Sequence, residues 1–170
     1  MGDFAERIET MRVRASLRDD AIIAELCDRD QLTLAFREGF YNLCDDGDLE
    51  RRLGLLASLL WAARTREYSR IYGEVTGDYS TGEDPPADVR ETDWRAERDA
   101  LVVTGSSADG RITVHAAGLR QWQVTLRPGT TRALGERQFA VAVGEAAGEL
   151  IRDQFAKLAA LSLKYYGDDR

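Results

Sequence analysis

The sequence predicts an α/β domain of the α+β type, with an antiparallel sheet of about five strands and two long covering helices. Three observations carry this. Short runs of alternating apolar residues occupy 22–36 and 101–126. Apolar residues recur at helical spacing over 49–71 and 139–161. The two sets match one another at a constant offset of 90 residues, Ile22 falling on Ile112.

The elements follow in order. Asp3 and Glu6 form a capping box ahead of Phe4, Ile8 and Met11, which predicts a first helix ending near Ser16. Ile22, Ala24 and Leu26, then Leu32, Leu34 and Phe36, alternate on either side of Asp28-Arg29-Asp30, the pattern of a hairpin. Arg37-Glu38-Gly39 ends its second strand. Asp45, Asp46 and Asp48 open a helix whose stripe is Leu49, Leu53, Leu56, Leu60, Ala63 and Ile71, with Gly73 as its stop. Residues 76–98 read as a linker, broken by Gly77, Gly82, Pro85 and Pro86, with a short helix around Trp94 at its end. Leu101 and Val103 begin a strand, and Asp109-Gly110 is a hairpin turn. Two further strands follow, Ile112, Val114, Ala116 and Trp122, Val124, Leu126, stopped by Pro128-Gly129. A long helix lies between Gly135 and Gly167. The chain reads as a single domain, 1–170, with pseudo-repeat halves 1–75 and 99–170.

Within the repeat, Leu49 falls on Phe139, Gly54 on Gly144, Ala57 on Ala147 and Leu60 on Leu150. Two ββα units of one chain can share a sheet about a pseudo-twofold axis. Gly54 and Ser58 lie one turn apart, as do Gly144 and Gly148. Such small residues predict that the two long helices cross, or contact another chain, near those positions; the alternative is that the glycines make room for a bulky neighbour such as Trp61 or Trp122.

Composition narrows the function. The formal net charge is −7, so nucleic acid and anionic lipid are repelled at long range. The N-terminus lacks the apolar stretch of a signal peptide, and Leu53 to Ala63 is too short to span a bilayer. The expectation is a cytoplasmic protein with no membrane partner. Cys27, Cys44 and the single histidine, His115, fall short of a structural zinc set and read as free thiols and a strand histidine. A Cys–His dyad would also need an orienting group and an oxyanion hole, and neither is evident. Phosphate-loop, dinucleotide, serine-hydrolase and zinc-protease motifs are missing from the sequence. No enzyme, no cofactor and no metal site are expected; Asp45, Asp46 and Asp48 suit helix capping better than cation binding.

The segment Asp109 to Phe155, with its Asp-Gly turn, short strands, Pro128-Gly129 stop and Ala146-Ala147 helix, resembles the YbaB/EbfC family of small nucleoid-associated proteins. The resemblance implies a leading helix, short strands and a closing helix. It also implies a homodimeric, DNA-binding habit, which this chain would meet as a fused pseudo-dimer. The lysine-rich helix end is missing here, the only lysines being Lys157 and Lys164. The element order also looks like that of the acidic chaperones of specialised secretion.

Two surfaces are therefore candidates. Leu55, Leu59, Trp61, Tyr68 and Tyr72 broaden the apolar stripe of the second helix, and Tyr165 and Tyr166 close the last one. These predict an interface for a protein partner or a second copy, unless the first helix and Trp94 cover them. Arg37, Arg64, Arg66, Arg70 and Arg127 are the candidates for DNA phosphates, with Arg51 and Arg52 at the second helix's start; Glu50, Glu67 and Glu74 are positioned to neutralise that face. The expected function is non-enzymatic binding of a macromolecule, as a chaperone-like or assembly factor, with a nucleoid-associated DNA-binding protein as the alternative.

Overall fold

The computed structural model describes residues 2–79 and 84–167. Its elements run α1 (Gly2–Glu9), β1 (Val13–Ser16), β2 (Ile22–Cys27), β3 (Gln31–Phe36), a 3-10 turn (Tyr41–Leu43) and α2 (Asp46–Thr76). They continue with α3 (Val89–Asp99), β4 (Val102–Ser106), β5 (Ile112–Ala117), β6 (Gln121–Leu126), α4 (Thr130–Ala133) and α5 (Glu136–Tyr166). Both bounds of α5 lie 90 positions beyond those of α2, and β5 and β6 stand in the same relation to β2 and β3.

The α+β class stands, but the single five-stranded sheet does not. Two antiparallel three-stranded sheets form instead, ordered β1-β2-β3 and β4-β5-β6. The reason lies in what covers the strand edges. The long helix α2 packs on β1 and β2 of its own half and on β6 of the other, while α5 packs on β4, β5 and β3. A helix of the opposite half therefore lies against β3 and against β6, where a continuous sheet would have placed another strand.

Three further expectations change. The first helix stops at Glu9 rather than near Ser16, and Val13–Ser16 form a strand. Val13 is buried opposite Leu26, while Arg14 faces solvent opposite Glu25. The second helix runs past Gly73 to a left-handed cap at Gly77, φ 76°, a conformation that glycine adopts without a Cβ penalty. The stretch read as a linker contains α3, capped by Asp88, while its Gly82 lies outside the described residues. The helix expected around Trp94 is thus a full element, and it rests on α5 as α1 rests on α2.

One core serves both halves. Ile22, Leu49, Ile112, Phe139 and Leu150 are all at most 2% exposed and belong to one apolar cluster. Phe139 meets Phe36 and Tyr41 of the first half at centroid distances of 6.0 and 5.3 Å. The Tyr41 hydroxyl donates to the Leu134 carbonyl at 2.7 Å. The glycines among the small helix residues face the opposite half's strands and not the other long helix: Gly54 lies against Trp122, one of the bulky neighbours of the alternative reading, and Gly144 and Gly148 against the β2–β3 hairpin. A Cβ on Gly144 would lie 2.8 Å from the Leu32 carbonyl oxygen, and one on Gly148 3.1 Å from that of Asp30. Gly54 faces the Trp122 carbonyl at 3.6 Å, where a Cβ would make only an ordinary contact. Gly144 and Gly148 admit the opposite half's β2–β3 hairpin to the helix surface; Ser58 is exposed.

Carboxylates fasten the join. The Asp46 carboxylate accepts the backbone N–H groups of Gly129 and Thr131 at 2.8 and 2.9 Å, and Glu50 accepts that of Leu126 at 3.0 Å. Burial pushes the Asp46 carboxyl up, but the Thr131 and Gly129 N–H groups outweigh it and hold it below its ordinary 3.8. On α5, the Asp153 carboxyl is held low in the same sense: burial raises it, and Lys157 and the Thr104 N–H outweigh that.

A carboxyl depressed on folding stabilises the protein above its unfolded pKa, and that contribution is lost as pH falls through the folded value. Stability should therefore fall as pH drops below about 4, with Asp46→Asn showing a shallower fall. Asp46→Ala should lose about 2 kcal/mol at neutral pH, read from urea midpoints.

Candidate partner-binding groove

Four leucines of α2, Leu49, Leu53, Leu56 and Leu60, are buried in the core. The helical period then turns Leu55 and Leu59, one turn apart, to the outside, where they are 63% and 48% exposed. The same helix lies along β6, so a groove forms between them. Its helix wall is Glu50, Arg51, Gly54, Leu55 and Ser58, and its strand wall is Arg120, Trp122, Gln123 and Val124. Glu50 holds the strand wall through the Leu126 N–H, and Trp122 is oriented by donating Nε1–H to the Leu119 carbonyl at 3.1 Å. Trp122 also packs against Trp61 at 5.8 Å.

The two halves differ on this face. The positions equivalent to Leu55 and Leu59 on α5 are Glu145 and Glu149, both exposed. The apolar pair thus belongs to α2 alone, whereas the buried stripe of each helix is apolar but for Gln154 of α5. No family model, curated protein or solved structure matches this chain.

The remaining aromatic candidates sit elsewhere and are partly covered. Tyr68 and Tyr72 each meet Phe4 of α1 at 6.0 Å, edge to face. Tyr166 packs on Trp94 of α3 at 6.4 Å, and the Tyr165 hydroxyl donates to Glu97 at 2.5 Å. The first helix and Trp94 therefore do take up part of this surface.

The arginines are scattered among local partners. Arg70 is bound by Glu67 and Glu74. Arg37 lies over the Phe40 ring at 5.4 Å and reaches the Asp19 carbonyl. Arg64 stacks on Trp61 at 4.9 Å, and burial pushes its guanidinium pKa down. Arg66 and Arg127 are exposed.

His115 stands on the exposed face of β5, between Thr104 and Gln123 in the ladder. Cys27 is half-buried at the end of β2. The Cys44 thiol donates to the Phe40 carbonyl at 3.4 Å, and burial pushes it up, away from the thiolate. Asp45 caps α2 by accepting the Asp48 N–H, with the reciprocal bond completing the box. Among the described residues, no helix is long and apolar enough to cross a membrane, and no group of three or more His, Cys, Asp or Glu is placed to hold a metal ion.

The sequence pointed to Leu55 and Leu59, but not to Glu50, Arg120, Trp122 and Gln123, which line the groove with Leu55. Periodicity marks which side of an element is apolar. It does not say which strand of the other half that helix covers.

Proposed function

We propose that the chain binds a protein partner through the groove between α2 and β6, as a non-enzymatic chaperone-like or assembly factor. The observation that carries this is the exposed Leu55 on the groove wall facing Trp122, continued one turn along α2 by the exposed Leu59, on one half only. An apolar strip with a charged rim of Glu50, Arg51 and Arg120 suits an amphipathic segment of a partner. The acidic chain as a whole favours a protein over a polyanion.

The test uses the other helix as its template. The double variant Leu55→Glu and Leu59→Glu gives α2 the residues that α5 carries, and both positions are exposed, so folding is retained. Proteins captured from native lysate by the wild type and lost by this variant are the expected result. Capture that is unchanged contradicts the groove as the site.

A second reading rests on element order. Each half runs helix, three strands, long helix, which supports the resemblance to the YbaB/EbfC outline and a fused pseudo-dimer that binds DNA. The local neutralisation of Arg70 and the net charge make this the weaker reading. Duplex binding that weakens steeply with salt would favour it.

A further inference from the structure

A cavity of about 70 Å³ lies between the two sheets and the two long helices. Its walls are almost wholly apolar and come from both halves. Apart from Leu26 and Leu56, every lining residue has its counterpart 90 positions away also in the lining; Ala57 and Ala147, Leu60 and Leu150, and Trp61 and Ile151 are three such pairs. The cavity therefore sits on the pseudo-twofold relation itself, where neither half alone could enclose it. Small residues at one equivalent pair, Ala57 and Ala147, leave space that the larger pairs do not fill.

We propose that this cavity is a binding site for a small, uncharged, apolar molecule. Apart from the two indoles, of which Trp122 spends its N–H on the Leu119 carbonyl, the wall holds no polar side chain, so water finds few partners there, and a hydrocarbon regains dispersion contacts that the empty space forfeits. An apolar cavity of about 150 Å³ holds benzene, so half that volume suits roughly three carbon atoms or one xenon atom. Trp122 and Val124 line both this cavity and the outer groove. Trp61 and Trp122 are only half-buried, so the route in passes beside them. The inference is independent of what the groove binds.

The test is xenon titration of the full chain under pressure, followed by methyl spectra. Saturable shifts confined to Ala57, Ala147, Leu60, Leu150 and their neighbours are expected, with quenching of tryptophan fluorescence. Ala147→Leu should fill the space and abolish the saturable shifts. Ala57→Val fills it from the other half, in case the first variant does not fold, and should raise the thermal midpoint by about 3 °C. Shifts that never saturate, that centre on exposed methyls such as those of Leu55 and Leu59, or that persist in a folded filled variant would overturn the proposal.

Discussion

Gly105→Ala should destabilise the protein by about 3 kcal/mol, the upper end of what overpacking usually costs. Gly105 is buried on β4, where the strand crosses α5. A Cβ there would lie 2.1 Å from the Ala146 carbonyl oxygen and 2.3 Å from the Leu150 backbone nitrogen. Both obstacles are backbone, so no side chain can swing away; helix and strand would have to separate. Lysine and aspartate of the same helix pin the neighbouring strand backbone, Lys157 to the Val102 carbonyl and Asp153 to the Thr104 N–H. That separation would therefore stretch those bonds as well. The equivalent position of the first half is Ala15, which already carries a Cβ. Gly54→Ala is the contrast: its Cβ would sit 3.6 Å from the Trp122 carbonyl, an ordinary contact, so removing a mid-helix glycine should be neutral or stabilise by up to about 1 kcal/mol. Urea midpoints of the two variants measure both.

Phe139→Ala should cost about 4 kcal/mol, within the range for deleting a buried aromatic side chain. Phe139 is 0% exposed and belongs to α5, yet its ring neighbours, Phe36 and Tyr41, belong to the first half. The loss should therefore lower the stability of both halves together. One cooperative transition, shifted as a whole and coincident by tryptophan fluorescence and circular dichroism, is the expected outcome. Two separated transitions, with the first half melting at its original midpoint, would mean that the aromatic trio does not join them.

The strands and long helices were legible because their signals are local. Alternation over Ile22–Leu26 and Ile112–Ala116 fixes a buried face without knowledge of the neighbour, and the stripe from Leu49 to Leu60 does the same for α2. The offset of 90 was legible because it needs only a comparison of the chain with itself. Strand β1 was not, for Val13 is its only strongly apolar residue and Met11 extends the helical spacing of Phe4 and Ile8. The division into two sheets was not legible either, because alternation says that a strand is half-buried and not which element lies beyond its edge. A sequence clue did exist in Gly144 and Gly148, read as a place for close approach; the partner that approaches is the β2–β3 hairpin of the other half. The groove was half legible for the same reason: Leu55 and Leu59 come from one helix's own period, and Trp122 and Arg120 arrive only through cross-half packing.

The interlocking of the halves is what joins core, groove and cavity, and nuclear Overhauser spectroscopy on the intact chain tests it directly. Cross-peaks between the indole protons of Trp61 and Trp122, and between the rings of Tyr41 and Phe139, are predicted. A spectrum whose contacts stay within residues 2–79 or within 84–167 would contradict it.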